Sequence, residues 1–132
     1  MSLTMTALTS DFAVCRLNPH DPLPQWGLAG EFFSLSRSGR ELSLTCEAAL
    51  VPPGVRAEGP WRALELEGPF DFALTGILAS VLTPLAQAEI GIFALSTFDT
   101  DYVLVQSSHF AHAVRALRAA GHTVHLPPAH PV

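Results

Sequence analysis

Residues 91–105, Gly91-Ile-Phe-Ala-Leu-Ser-Thr-Phe-Asp-Thr-Asp-Tyr-Val-Leu-Val105, limit what this chain can fold into more than any other stretch. They read as a β-hairpin. Two β-rich apolar runs, Ile92 to Leu95 and Tyr102 to Val105, flank the polar connection Ser96-Thr97-Phe98-Asp99-Thr100-Asp101. Hydroxyls and carboxylates in such a connection bond back to their own backbone and stabilise a turn. A turn does not require a serine, two threonines and two carboxylates around one large aromatic, so this connection is the first candidate for a site.

So apolar a hairpin needs cover, and the sequence on either side supplies it. Leu74, Ile77, Leu78, Val81, Leu82 and Leu85 recur at helical spacing and predict an amphipathic helix, with Asp71 and Thr75 as candidate N-caps. Pro84 should kink or shorten it, because proline lacks the N–H that Ser80 would receive. After the hairpin, Ser107 or Ser108 caps a second helix with Phe110, Val114 and Leu117 inward, Arg115 and Arg118 near its end, and Gly121 as a left-handed stop. Strands at Trp61 to Glu67 and His122 to Leu126, the latter stopped by Pro127-Pro128, complete β-α-β-β-α-β. That order is the ferredoxin-like plan, with both helices on one face of a four-stranded antiparallel sheet.

The first half carries strands without helices. Residues 1–11 are small and polar and are expected to fray, and Phe12 to Leu17 is the first strand. Pro19, Pro22 and Pro24 make a stiff loop. A second hairpin joins 31–37 to 40–46 through Ser38-Gly39, with Phe33 and Leu35 on one face of its first strand. Leu42 and Leu44 share one face of its return strand, and Ser43 and Thr45 the other. Residues 47–60, with three prolines and two glycines, read as a surface linker. The expected class is α+β, with a degenerate unit over 1–60 and a complete unit over 61–132.

Composition removes several functions. Net charge is −5 and the seven basic residues never cluster, so no footprint for a phosphate backbone exists and nucleic acid is not an expected partner. No apolar run of membrane-spanning length and no export signal is apparent, so the expectation is a cytoplasmic protein without a membrane partner. Cys15 and Cys46 lack CxxC spacing and read as buried free thiols. With 48% hydrophobic residues and only 14% charged, some apolar surface should remain, which favours a homo-oligomer. His109, His112, His122 and His125 crowd together, yet residues three apart on a strand face opposite ways, so no metal site is expected. No cofactor is expected either: there is no phosphate-cradling loop or dinucleotide fingerprint, and no paired base and nucleophile. The chain is read as a non-enzyme.

The run Ser96 to Val105, the helix opening Leu74-Thr75-Gly76-Ile77-Leu78-Ala79 and the upstream Arg40-Glu41-Leu42-Ser43-Leu44 resemble the small bacterial ACT-domain proteins related to the CASTOR-type arginine sensors. The resemblance extends from about Phe12 to Leu126. It implies two ACT units per chain and regulatory binding of a free amino acid at an interface between ACT units, with a regulated protein partner. Carried onto this sequence, the contacts fall on Ser43 and Leu44, on the Asp71 to Gly76 segment with Asp71, Thr75 and Gly76 foremost, and on Thr97, Phe98 and Asp101.

The chemistry of those residues is compatible with an amino acid. A ligand carboxylate suits the unpaired N–H groups of a helix start, and an ammonium suits Asp101. Each residue also has an ordinary alternative: Asp101 as a turn former, Gly76 as a packing glycine, Phe98 as an exposed turn aromatic, Ser43 as decoration on a strand. An interaction module without a small ligand and a small enzyme are the competing classes.

Overall fold

The computed structural model describes residues 1–71 and 73–127, so Phe72 and the expected stop at Pro128 lie outside the described residues. The strands are β1 (Thr4–Leu17), β2 (Ser34–Arg37), β3 (Leu42–Glu47), β4 (Arg56–Leu66), β5 (Ile92–Ser96), β6 (Asp101–Gln106) and β7 (Thr123–His125). The helices are α1 (Ile77–Gln87) and α2 (Phe110–Ala119). The chain forms two compact units, one of Met1–Thr9 with Arg62–Val132 and one of Ser10–Trp61. Their boundaries fall inside β1 and β4.

In the larger unit the strand order is β7-β1-β4-β6-β5. Alternation decides which side chains meet the helices: Met5 and Ala7, Leu64 and Leu66, and Val103 and Val105 all lie in one buried cluster. Ile77, Val81 and Leu85 of α1 and Ala113, Val114 and Leu117 of α2 join them. This is the α+β, ferredoxin-like arrangement the periodicity predicts. The expected fraying of residues 1–11 is overturned. Thr4 to Thr6 pair in parallel with Thr123 to His125, and the Glu67 N–H donates to the Thr4 carbonyl at 2.8 Å. The chain's first strand therefore lies between β4 and β7, and the last strand sits outside it. Arg62 ties α2 to this sheet by donating to the Leu8 carbonyl at 3.1 Å while its guanidinium lies 4.3 Å from the centre of the Phe110 ring.

Three helix details differ from expectation. α1 begins at Ile77, not near Leu74, and its N-cap is Gly76 in the left-handed region (φ 78°) with no side-chain cap, so neither Asp71 nor Thr75 caps it. Ser107 to His109 form a 3-10 turn ahead of α2, whose N-cap His109 makes no side-chain cap bond. Pro84 sits inside α1 without ending it. The reason is His122, which is 5% exposed: its Nε2 lies 2.8 Å from the Ser80 carbonyl, the acceptor that Pro84 leaves without its usual N–H. The Leu3 N–H donates to His122 Nδ1 at 3.1 Å, so Nε2 carries the proton and donates to Ser80. Both helices close with the same two bonds, Ile90 N–H to Leu85 and Glu89 N–H to Ala86, then His122 N–H to Leu117 and Gly121 N–H to Arg118. Gly121 (φ 96°) fills the left-handed position after α2 as its sequence implies, and Glu89 (φ 60°) fills it after α1.

In the smaller unit β1 pairs antiparallel with β3 from Phe12↔Glu47 to Leu17↔Leu42, and β2 pairs with β3 from Ser34↔Thr45 to Arg37↔Leu42. Ala13, Cys15, Leu44 and Cys46 form its buried cluster. Thr45 is buried as well, so the polar face assigned to β3 is not solvated at that position. Phe33 falls outside β2 and is exposed. The free cysteines are both buried, and burial pushes the Cys46 thiol up to about 12. The expected linker over 47–60 is shorter than read, because β4 already begins at Arg56 and runs through Gly59-Pro60. A Cβ at Gly59 would come within 2.9 Å of the Phe12 carbonyl, so glycine there serves a close strand approach rather than a loop. Glu47 holds the preceding loop by accepting from the Glu31 N–H at 2.7 Å and the Ser10 hydroxyl at 3.0 Å.

Candidate functional site

The segment after β4 and the tip of the β5–β6 hairpin enclose a cavity of about 190 Å³ in the larger unit. Three close contacts build it. The Phe70 N–H donates to the Asp99 carbonyl at 2.9 Å, and the Thr100 hydroxyl donates to the Leu66 carbonyl at 2.6 Å. Gly68 approaches so closely that a Cβ would lie 2.7 Å from the Asp99 carbonyl. The tip is closed by Thr97, whose N–H donates to the Thr100 carbonyl at 2.8 Å and whose hydroxyl donates to the same oxygen at 3.1 Å.

Asp71, Thr97, Phe98 and Asp101, four of the residues singled out from the sequence, line this cavity. Asp71 organises the approach to α1: its Oδ1 accepts from the Ala73 N–H at 2.8 Å and its carbonyl from the Leu74 N–H at 2.9 Å. Asp101 accepts a hydrogen bond from the Ser96 hydroxyl. Phe98 is 80% exposed and Leu74, also in the lining, 53%. Ile77 places the start of α1 in the wall, and the amides of a helix's first turn have no acceptor within the helix. Among the described residues the lining holds three carboxylates, Asp71, Asp99 and Asp101, and no basic side chain.

The other four candidates are elsewhere. Thr75 is exposed and does not line the cavity. A Cβ on Gly76 would meet nothing within 4 Å, so its φ of 78° and not close packing requires glycine; it borders a separate depression along α1 with Ser80, Pro84 and His122. Ser43, half-buried, faces Arg16 and Ser36 across β3, and Leu44 is fully buried in the smaller unit's cluster. Neither lines the cavity. Sequence reasoning omitted Phe70, Ile77, Ser96, Asp99 and Thr100 from the candidate set and reached Leu74 only as part of the Asp71 to Gly76 segment, although Ser96, Asp99 and Thr100 belong to the oxygen-rich connection that drew attention to the hairpin.

A second cavity of about 250 Å³ shares Thr97, Asp99 and Thr100 and is completed by Glu65, Tyr102 and the Gly68 segment. Burial pushes the Tyr102 hydroxyl up to about 12, and its hydrogen bond to Glu65 and the negative charges of Glu65 and Asp99 act in the same direction. It stays a neutral donor throughout the physiological range. Among the described residues no cluster of His, Cys, Asp or Glu is placed to hold a metal ion, and no helix is long and apolar enough to cross a membrane.

Comparison with known proteins adds to this geometry. A family model described as an ACT domain matches residues 56–119, and a second, described as an N-terminal domain, matches residues 10–53. The cytosolic arginine sensor for mTORC1 subunit 1 of Bos taurus is 29% identical over 98 residues, which is 66% of this chain and 30% of that protein; the chain spans under a third of its relative's length. A crystal structure of an Agobacterium tumefaciens protein superposes with a TM-score of 0.92 at 35% identity, covering 100% of this chain and 98% of that one. The regulatory subunit of aspartate kinase from Thermus flavus gives a TM-score of 0.63 at 13% identity, covering 91% of this chain and 99% of that one, which shows a shared fold. The chain carries an ACT domain over residues 56–119 and is similar to a cytosolic arginine sensor over about two thirds of its own length.

Proposed function

We propose that this chain is a non-catalytic regulatory protein that binds a free amino acid in the cavity at the hairpin tip. The observation that carries the reading is that one preformed cavity joins a helix start, three carboxylates and two exposed apolar side chains, Phe98 and Leu74. An amino acid presents a matching set, a carboxylate for backbone amides, an ammonium for Asp101 and an apolar stem for Phe98. At about 190 Å³ the cavity is below the 300–1,000 Å³ range of drug-sized pockets and suits a small metabolite. The relative named for arginine sensing supports the same class of ligand. We further read the chain as two ACT-type units, a reduced first one of strand and hairpin and a second over 61–132 whose sheet also takes in Met1–Thr9, in a cytoplasmic homo-oligomer that acts on a protein partner. Regulation then follows from linkage, since a ligand that prefers one packing shifts the equilibrium toward it.

A thermal-shift screen against the twenty amino acids tests this. Ligand at a hundredfold excess over its Kd adds about 2.7 kcal/mol to stability. One amino acid should raise the midpoint, and Asp101→Asn should abolish the shift while leaving the unliganded midpoint within a few degrees. No shift with any amino acid, or one unchanged in Asp101→Asn, defeats the proposal.

A further inference from the structure

We propose a second ligand site behind the hairpin tip: the cavity of about 250 Å³ between Glu65, Tyr102 and the Gly68 segment binds a primary ammonium that carries no carboxylate. This cavity lies within the larger unit and shares Thr97, Asp99 and Thr100 with the one assigned to the amino acid. Strand alternation separates the two. Glu65 stands between Leu64 and Leu66, and Tyr102 precedes Val103, so with those leucines and Val103 in the core both side chains leave the sheet on the face away from α1 and α2. The first cavity adds the start of α1 to the shared tip, and unpaired amides there suit a carboxylate. The second adds only the end of β4, the 68–69 segment and the start of β6, so it has no helix start to offer.

The second cavity has acceptors to spare and no side-chain donors. Among the described residues its lining holds two carboxylates, Glu65 and Asp99, and no basic side chain. Its three hydroxyls are already committed: Thr97 donates to the Thr100 carbonyl, Thr100 to the Leu66 carbonyl and Tyr102 to Glu65. What is left to a ligand is the Tyr102 oxygen as an acceptor, the second oxygen of Glu65 and the Asp99 carboxylate. A primary ammonium brings three N–H donors and no acceptor, which matches that set in number and in charge. A ligand carboxylate would meet two like charges and no uncommitted side-chain donor, so an amino acid suits the first cavity and an amine without its carboxyl group the second. A divalent metal ion asks for several charged oxygens at once, and among the described residues no group of three His, Cys, Asp or Glu comes together. Pro69 and the Tyr102 ring give a short alkyl stem apolar surface to lie on.

Tyr102 is the chain's one tyrosine, so the ring signals of the full chain carrying isotope-labelled tyrosine report this cavity by nuclear magnetic resonance. Butylammonium chloride, with ionic strength held constant by sodium chloride, should move those signals along a saturable curve. Butanol, which lacks the charge, and γ-aminobutyrate, which adds a carboxylate, should not. Glu65→Gln keeps the shape and an acceptor for the Tyr102 hydroxyl but removes a charge, and should weaken butylammonium binding about tenfold. Should that variant fail to fold, Asp99→Asn makes the same test from the other carboxylate. N-acetyl-lysine amide separates two sources of the ammonium: tighter binding than butylammonium assigns it to a partner's lysine side chain, weaker binding to a free amine. Signals that ignore butylammonium, an equal response to butanol or γ-aminobutyrate, or an affinity unchanged in both variants overturns the proposal. The amino-acid screen decides none of these outcomes, so the two sites fail separately.

Discussion

His122 should be worth more to this fold than any other histidine, and the structure says why. Its ring accepts from the Leu3 N–H and donates to the Ser80 carbonyl, at 3.1 and 2.8 Å. His122→Ala strands both partners in a site where His122 itself is 5% exposed. A buried polar group left without a partner costs about 1–3 kcal/mol, so the pair should cost about 2–6 kcal/mol. For a chain of this size that is on the order of 10 °C in Tm. A cycle with Pro84→Ala separates the two contributions. Alanine restores an N–H four residues after Ser80, giving that carbonyl a helical donor, so His122→Ala should then cost about 1–2 kcal/mol less. Urea unfolding with a common m-value for the four proteins is the assay. A cost below about 1 kcal/mol, or the same cost with and without the Pro84→Ala substitution, would refute the account of how a proline is tolerated inside α1.

Two further outcomes follow from single residues. The chain has one tyrosine and its seven basic residues are all arginine, so tyrosinate absorbance reports Tyr102 alone, without lysines titrating in the same range. Its midpoint should lie near 12, against about 10 in the unfolded chain; because the folded form holds the proton more tightly, the stability Tyr102 contributes is intact below pH of about 10 and is lost as pH rises toward the folded value. Tyr102→Phe should flatten that alkaline decline, and a tyrosinate midpoint near 10 would remove the Glu65 contact from the explanation. Glu89 holds a left-handed φ of 60° at the end of α1, where glycine is unstrained, so Glu89→Gly should raise stability by about 0.5–1 kcal/mol; a loss in chemical denaturation would mean the Glu89 side chain has a role its backbone hides.

What can be read from the sequence is what repeats locally. The α1 stripe, the β5–β6 hairpin and the Gly121 stop each announce themselves within a dozen residues, and each is present. The N-terminal strand is not local. Met5 and Ala7 do alternate with polar residues, but their partners come from β4 and β7, at the far side of the chain, and one Met and one Ala make too faint a period-two signal. His122 reads as an ordinary strand-end histidine for the same reason: its burial depends on the carbonyl that Pro84 vacates in a different element. Gly59-Pro60 resembles a loop because composition registers glycine and proline but not the strand approach that calls for them.

The site follows the same logic. Thr97, Phe98 and Asp101 are legible because their connection carries more side-chain oxygen than closing a turn requires, and Thr97 shows how little closure needs: its N–H and hydroxyl both donate to the Thr100 carbonyl. Asp101 also bonds within the connection, accepting from the Ser96 hydroxyl, so it is the surplus of carboxylates, not their freedom, that marks the stretch. Phe70 and Leu74 cannot be found this way, since nothing in their type marks them. They reach the cavity because Gly68 permits close approach to Asp99, Phe70 bonds to the hairpin tip, and Asp71 turns the chain toward α1. Both walls are thereby pinned by backbone bonds before any ligand arrives, and a site already ordered loses less entropy on binding. The selectivity proposed for so small a cavity rests on that preorganisation, which is written in glycine and backbone geometry rather than in the residues that would touch the ligand.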